Sequence, residues 1–456
     1  MRAKSVVDLA RTVEKHLRRS GVSSPSVTTL ARLLEVVYFA SLKTEEGKPL
    51  QLRVALVDPK NPDPDKPPRP RSDRWKIVEM AQRVPFTVPN VVKLSKAADP
   101  WSSCLAVYFD KSNGFYLWGL IDQTVHFNRM LVRENESGYA PPGLFQVLAI
   151  GTADLSVYRR YSFVGRLAQD NLSNRQNDVF WEGQISRRLS RGIGRYVEAV
   201  LENFAAKDLS YEKQMWAASL ARRWSGTLCR ILIGIQRYRH GGAVLLTRST
   251  ADLDTKYRIN YTRLPDALVN LGVCTIKQGL AYREIFENHI DMEKSIVPVD
   301  LYLDEHIFGD EAEDFSDEIT GCVRFVSSLS CVDGLVLLTP ELSVRGFGVE
   351  IRSKKDIDVV YLSPHARALT STMRAIDPNH YGTRHRSMMR YCMAHPKSVG
   401  FVVSQDGEIR AMTRVGARLV MWENLQVLSF WDQDFRKELP QTPRGVSSTA
   451  KSASKN

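Results

Sequence analysis

The chain is short of nearly every signature that marks a metalloprotein, a membrane protein or a common hydrolase. Its six cysteines, at 104, 229, 274, 322, 331 and 392, include no Cys-x-x-Cys pair. That spacing excludes zinc ribbons and dithiol redox centres, and scattered thiols fit a reducing cytoplasm. Apolar runs such as 230–236 and 334–338 fall far short of the ~20 residues that a membrane helix needs. Residues 1–11 hold no apolar stretch of signal-peptide length. The expectation is a cytoplasmic protein with no membrane partner. No G-x-x-x-x-G-K-S/T loop, H-E-x-x-H, G-x-S-x-G or dinucleotide-binding glycine fingerprint occurs.

What is present is ordinary globular composition, 43% apolar and 25% charged over 456 residues. At roughly 150 residues per domain, that length suggests about three domains. A chain of this size can bury a core without help from disulfides or metals. Lys and Arg number 63 against 51 Asp and Glu, a net +12. Such an excess favours anionic partners and says nothing about fold.

Periodicity divides the chain. Helices are expected over 5–19 and 28–42, then a strand over 52–57. Residues 58–71 carry six of the 21 prolines. Proline removes a backbone donor and fixes φ, so this segment reads as a stiff exposed loop. Short β runs at 104–109, 115–121 and 144–150 follow, separated by turn residues. Residues 1–165 are therefore expected to form a β-rich α+β domain that includes the 58–71 loop. Residues 166–240 read as a helical segment. Leu220, Trp224, Leu228, Ile231, Leu232 and Ile235 make an apolar stripe on one helix, and Arg187, Arg188, Arg191 and Arg195 a basic face on another. The remainder, 241–435, turns α/β, and the basic 436–456 tail should be disordered. The acidic run 310–318 reads as a solvated loop with no EF-hand spacing. Gly241-Gly-Ala-Val-Leu-Leu-Thr247 is echoed ninety-two residues on by Asp333-Gly-Leu-Val-Leu-Leu-Thr339, a weak internal repeat.

Three pieces of the last segment carry chemistry. Asp333 and Gly334 stand at the mouth of an apolar strand, where glycine permits close approach and the carboxylate sits at the edge. Gly382, Thr383, Arg384, His385 and Arg386 open a helix expected to end before Pro396. Free N–H groups and the dipole at a helix start attract phosphate, and guanidinium forks suit it. Thr383 is placed to cap this helix. Ser404 and Gln405 close a buried strand ahead of an Asp406–Gly407 turn.

The Asp-Gly strand, the Gly-Thr-Arg-His-Arg helix start some 50 residues later, and the Val-Val-Ser strand after it resemble the diadenylate cyclase domain. That domain makes cyclic di-AMP from two ATP. The resemblance covers roughly residues 325–425 and does not extend to 1–180. It implies an α/β fold, with a mixed-sheet cyclase-like domain and flanking helices over 241–435. It implies that Asp333 binds the catalytic metal, Mg²⁺ or Mn²⁺, and that Thr383, Arg384, His385 and Arg386 hold the triphosphate. Ser404 would support the nucleotide. Two positions depart from the family. Leu335 replaces an alanine, and Gln405 replaces an acid, and a neutral amide is a poor ligand for a hard cation. Phosphate-binding residues with an altered metal shell resemble the divergent sensor-type members named DACNV.

Three readings follow. The first is a nucleotide or cyclic-dinucleotide sensor acting in bacterial signalling or conflict through an unknown effector. The second is an active cyclase, which would need Mg²⁺ or Mn²⁺ and a homo-oligomer that sets two domains face to face. The third is a nucleic-acid-binding scaffold that uses the arginine face of the middle helices.

Overall fold

A computed structural model describes residues 4–45, 48–63, 66, 68–69, 74–100, 102–110, 114–123, 142–160, 162–168, 170–173, 179–205, 209, 212–290, 297–353, 356–405, 407–423, 425 and 427. The 436–456 tail, much of the proline-rich loop and Asp406 lie outside them.

Two mixed sheets, each with its own core, organise the chain. The first unit opens with α1 (Val6–Arg19) and α2 (Val27–Ser41). Leu9, Val13 and Leu17 recur every fourth residue and are fully buried, so α1 presents one apolar stripe to the sheet. Its start is closed by a capping box in which Ser5 and Asp8 satisfy each other's backbone groups. A two-stranded ribbon, β1 (Thr44–Glu45) and β2 (Lys48–Pro49), precedes the main sheet. Next come β3 (Leu52–Leu56), β4 (Lys76–Pro85), the short helix α3 (Val88–Ser95), β5 (Ser103–Asp110) and β6 (Gly114–Asp122). The remaining strands are β7 (Gln146–Gly151), β8 (Asp154–Arg159), β9 (Ser162–Ala168) and β10 (Asn171–Ser173). These eight long strands run in the order β10-β9-β8-β7-β3-β5-β6-β4. The helices pack on one face. The other carries a smaller cluster around Trp75, Tyr116 and Trp118.

The middle helices are α4 (Gly183–Leu201) and α5 (Lys213–Tyr238). The expected stripe on α5 is buried throughout, with Trp224 1% exposed. Each such side chain contributes roughly 1.5–3 kcal/mol by leaving water.

The second sheet contains β11 (Gly242–Leu246), β12 (Leu253–Tyr261), β13 (Leu335–Leu338), β14 (Val344–Ile351), β15 (Val360–Leu362), β16 (Arg374–Ile376), β17 (Val399–Val403), β18 (Ile409–Val415) and β19 (Arg418–Trp422). Between them lie α6 (Arg263–Ile285), α7 (Val299–Ser328) and α8 (Thr383–Ala394). The strand order is β12-β14-β13-β11-β17-β18-β19-β15-β16. β11, β13 and β17 are buried along their whole length, as expected of strands covered on both faces. Helices α4 to α7 cover one face and α8 the other. The fold is α/β, preceded by a β-rich unit.

The two echoed strands are neighbours. β11 pairs parallel with β13, Val244 opposite Val336 and Leu246 opposite Leu338, so the ninety-two-residue offset of the sequence is also the register of the sheet. The acidic run 310–318 is not a loop. It lies inside α7. Leu301, Glu305, Phe308, Ala312, Phe315, Ile319, Cys322 and Val326 fall on its less exposed side, spaced alternately by four and three residues. That stripe packs on α6, and the density of carboxylates between its members hides it in the sequence.

Candidate functional site

Sheet register brings the chosen segments to one end of the second sheet. Gly242 pairs with Val403 across β11 and β17. Gly241 directly precedes β11, and Asp333 lies two residues before β13, its parallel neighbour. Val402 pairs with Arg410 across β17 and β18, and Ala411 with Trp422 across β18 and β19. Asp333, Gly241, Ser404, Arg410 and Glu423 therefore end adjacent strands, and α8 begins above them.

Arg384 reaches this edge. A Cβ built on Gly241 would stand 2.9 Å from the Arg384 guanidinium, 3.2 Å from the Val403 carbonyl and 3.3 Å from the Gln405 nitrogen. Gly241, with φ +68°, is thus the floor beneath the guanidinium. Arg384 makes no hydrogen bond or ion pair with a described residue. The Arg386 side chain has none with a described residue either, and its Nε is sealed from solvent without an acceptor. Neighbouring arginines differ. Arg390 pairs with Asp356 at 2.6 Å. Arg410 donates to Glu423 at 3.2 Å and also pairs with Glu408.

His385 is a brace within this cluster. Its Nε2 lies 3.0 Å from Arg410 Nη1. A guanidinium only donates, so Nε2 accepts and the ring proton sits on Nδ1. Burial, followed by the charges of Arg410 and Arg384, pushes its pKa down to about 4. The imidazole is therefore neutral near pH 7. Tyr381 completes the brace. Its hydroxyl donates to Glu423 at 2.7 Å, Arg410 lies over its ring at 5.4 Å, and burial with Glu423 beside it raises its pKa.

The other expected site residues divide between structural and exposed places. Thr383 does not cap α8. It is the first helical residue, and Gly382 is the N-cap, with no side-chain cap bond. Both are exposed, which leaves the N–H groups of the first turn open. Gly334, at φ +113°, is required because a Cβ would stand 2.6 Å from the Gly348 carbonyl carbon; the close approach is that of another backbone. Leu335 is 5% exposed and belongs to the core beneath α8. The Ser404 hydroxyl accepts from the Glu408 N–H at 3.1 Å, and so closes the β17–β18 turn. Gln405 is exposed, as is Asp333, which makes no hydrogen bond or ion pair with a described residue.

Sequence reasoning missed Arg410, Glu408, Glu423 and Tyr381. Glu408 and Arg410 alternate on one strand face, a readable signal. Glu423 joins them only through strand pairing. On the basic face of α4, Arg188 donates to the Arg414 carbonyl at 3.1 Å and Arg195 to Glu341 at 3.1 Å.

A divalent cation such as Mg²⁺ or Mn²⁺ calls for several oxygen ligands, charged ones preferred. Glu408 and Glu423 are held by Arg410, Gln405 is an amide, and Asp333 remains as the uncommitted carboxylate. Among the described residues no group of three His, Cys, Asp or Glu side chains gathers. The donor set does not make a protein cage for a cation. Among the described residues, too, no helix is long and apolar enough to cross a membrane.

Residues 20–122 match a family described as the probable sensor domain DACNV. The match covers under a quarter of the 456-residue chain. It lies on the first unit, from the end of α1 through β6, and agrees with the DACNV expectation, though it falls in the segment to which the cyclase resemblance did not extend. It is outside 325–425, where the cyclase resemblance was read. No curated protein matches the chain, and no solved structure does.

Proposed function

We propose that the α8 end of the second sheet binds the phosphates of a nucleotide or cyclic dinucleotide, and that the chain acts as a nucleotide sensor. One observation carries this reading: Arg384 and Arg386 are partly buried at an uncapped helix start and have no acidic partner among the described residues. Unpaired guanidiniums that repel each other gain from an anion between them, and phosphate oxygens accept from both forks and from the first helical N–H groups. Arg410, held by two carboxylates and by His385, positions the helix start and does not add free charge. Asp333, one strand from the Arg384 floor, is placed to accept from a ribose hydroxyl. The probable sensor domain in the same chain supports a sensing role.

Binding is proposed without a chemical step, because no step can be drawn through a cation that the donor set does not hold. Isothermal titration with ATP and cyclic di-AMP tests the reading. Arg384→Ala should weaken the tighter of the two by about 1.5–3 kcal/mol, the usual worth of a hydrogen bond to a charged group, with little change in melting temperature. Unchanged affinity would place the site elsewhere. Cyclic di-AMP formed from ATP with Mn²⁺, and lost in Asp333→Asn, would replace sensing by catalysis.

A further inference from the structure

A cavity of about 910 Å³ lies in the first unit, far along the chain from the phosphate site. It is bounded by the start of α2, the ends of β3 and β5, the head of the proline-rich segment and the β8–β9 turn. Its volume falls in the range of roughly 300–1,000 Å³ typical of small-molecule sites. Most of its lining lies within 20–122, the segment that matches a probable sensor domain.

Part of the lining is apolar and aromatic. Leu56, Val57, Trp75, Tyr108, Phe109 and Leu144 line them. Rigid aromatic walls of this kind favour a planar ring, which gains dispersion and stacking at little cost in side-chain entropy. The charges are unequal. Asp63 accepts from Arg74 Nε at 3.1 Å and from a second guanidinium nitrogen. Asp58 accepts from the Lys60 N–H at 2.9 Å and from the Tyr108 hydroxyl at 3.4 Å. Arg159 and Arg160 also line the cavity. Arg160 is exposed, makes no hydrogen bond or ion pair with a described residue, and stands at φ +54° in the turn that follows β8. Arg160 is therefore an uncommitted cation, with respect to the described residues, at the rim of a pocket with aromatic lining.

We propose that this cavity is the ligand site of the first unit and takes a planar aromatic monoanion, an aryl carboxylate or sulfonate, with the ring between the walls and the anion on Arg160. The probe is 2-naphthoate, with neutral 2-naphthamide as its control, titrated into the full chain by calorimetry. Naphthoate should bind with a stoichiometry near one and more tightly than the amide. Arg160→Gln should weaken naphthoate about tenfold, as expected for one charge-assisted hydrogen bond, and leave the amide unchanged. Ser23→Trp, at an exposed lining position, should block both. Arg384→Ala should alter neither, which separates this site from the phosphate site. The assignment is overturned by no saturable naphthoate binding up to ~1 mM, by equal binding of acid and amide, or by indifference to both cavity variants.

Discussion

His385 shows how a residue chosen for charge ends up without it. Two guanidiniums and burial hold the ring neutral, with its pKa lowered to about 4 from an ordinary 6.5. Between those values the unfolded chain binds the proton and the folded chain does not, so stability rises with pH. The contribution is complete above about pH 6.5 and is lost as the pH falls through 4, when the folded ring protonates. Its upper bound is about 3 kcal/mol, from the shift alone. Glutamine can accept from Arg410 but cannot take up a proton in this range. His385→Gln should therefore flatten the fall in unfolding free energy between pH 7 and 4.5, measured in urea. Parallel profiles for the variant and the parent would show that the ring is not the titrating group.

Element pairing explains why part of the site was legible in the sequence and part was not. The Asp-Gly and Gly-Gly strand starts were readable because backbone demands fix them. Gly334 lies at φ +113° against the backbone of Gly348 and Val349, and only glycine meets both conditions. Gly334→Ala should cost about 2–4 kcal/mol and lower the melting temperature. Gly382→Ala, with no atom within 4 Å of the added carbon, should cost under about 1 kcal/mol. A reversed order would mean that β13 and β14 are not packed as described. The Arg-His-Arg start of α8 was readable too, because a glycine entry and the distance to Pro396 bound the helix. Glu423 was not. It is thirteen residues from Arg410 in sequence and becomes its partner only because β18 and β19 pair. The acidic part of α7 misled for a different reason: two of every seven positions face α6, and carboxylates fill many of the rest. The cavity of the first unit was invisible, since the proline-rich segment reads as surface and its lining comes from six separate stretches of chain.

At the scale of the whole molecule, a buried charge of the first unit feels an acid of the second. Arg166, on β9, is 5% exposed. Burial works against its positive charge, but Asp154, and across the units Glu408, more than offset this and hold its pKa above the ordinary value. Its Nε donates to Asp154 at 2.6 Å. Removing one partner from a buried pair strands the other, so Asp154→Asn should cost about 3–5 kcal/mol. Glu408 is the more informative position, because it also pairs with Arg410, beneath the proposed phosphate site. Glu408→Gln should raise amide exchange across β8 and β9 in the first unit severalfold, by removing a carboxylate whose charge favours the buried Arg166 guanidinium. The control is Glu341→Gln, which removes a partly exposed acid paired with Arg195 and Arg248; surface pairs contribute about 0–1 kcal/mol, so β8 and β9 should be unmoved. Unaltered exchange in Glu408→Gln would mean that Asp154 alone sustains Arg166. Faster exchange would make Glu408 the one side chain that both the sensor unit and the arginine cluster depend on, and so the first position at which occupancy of one unit could be felt in the other.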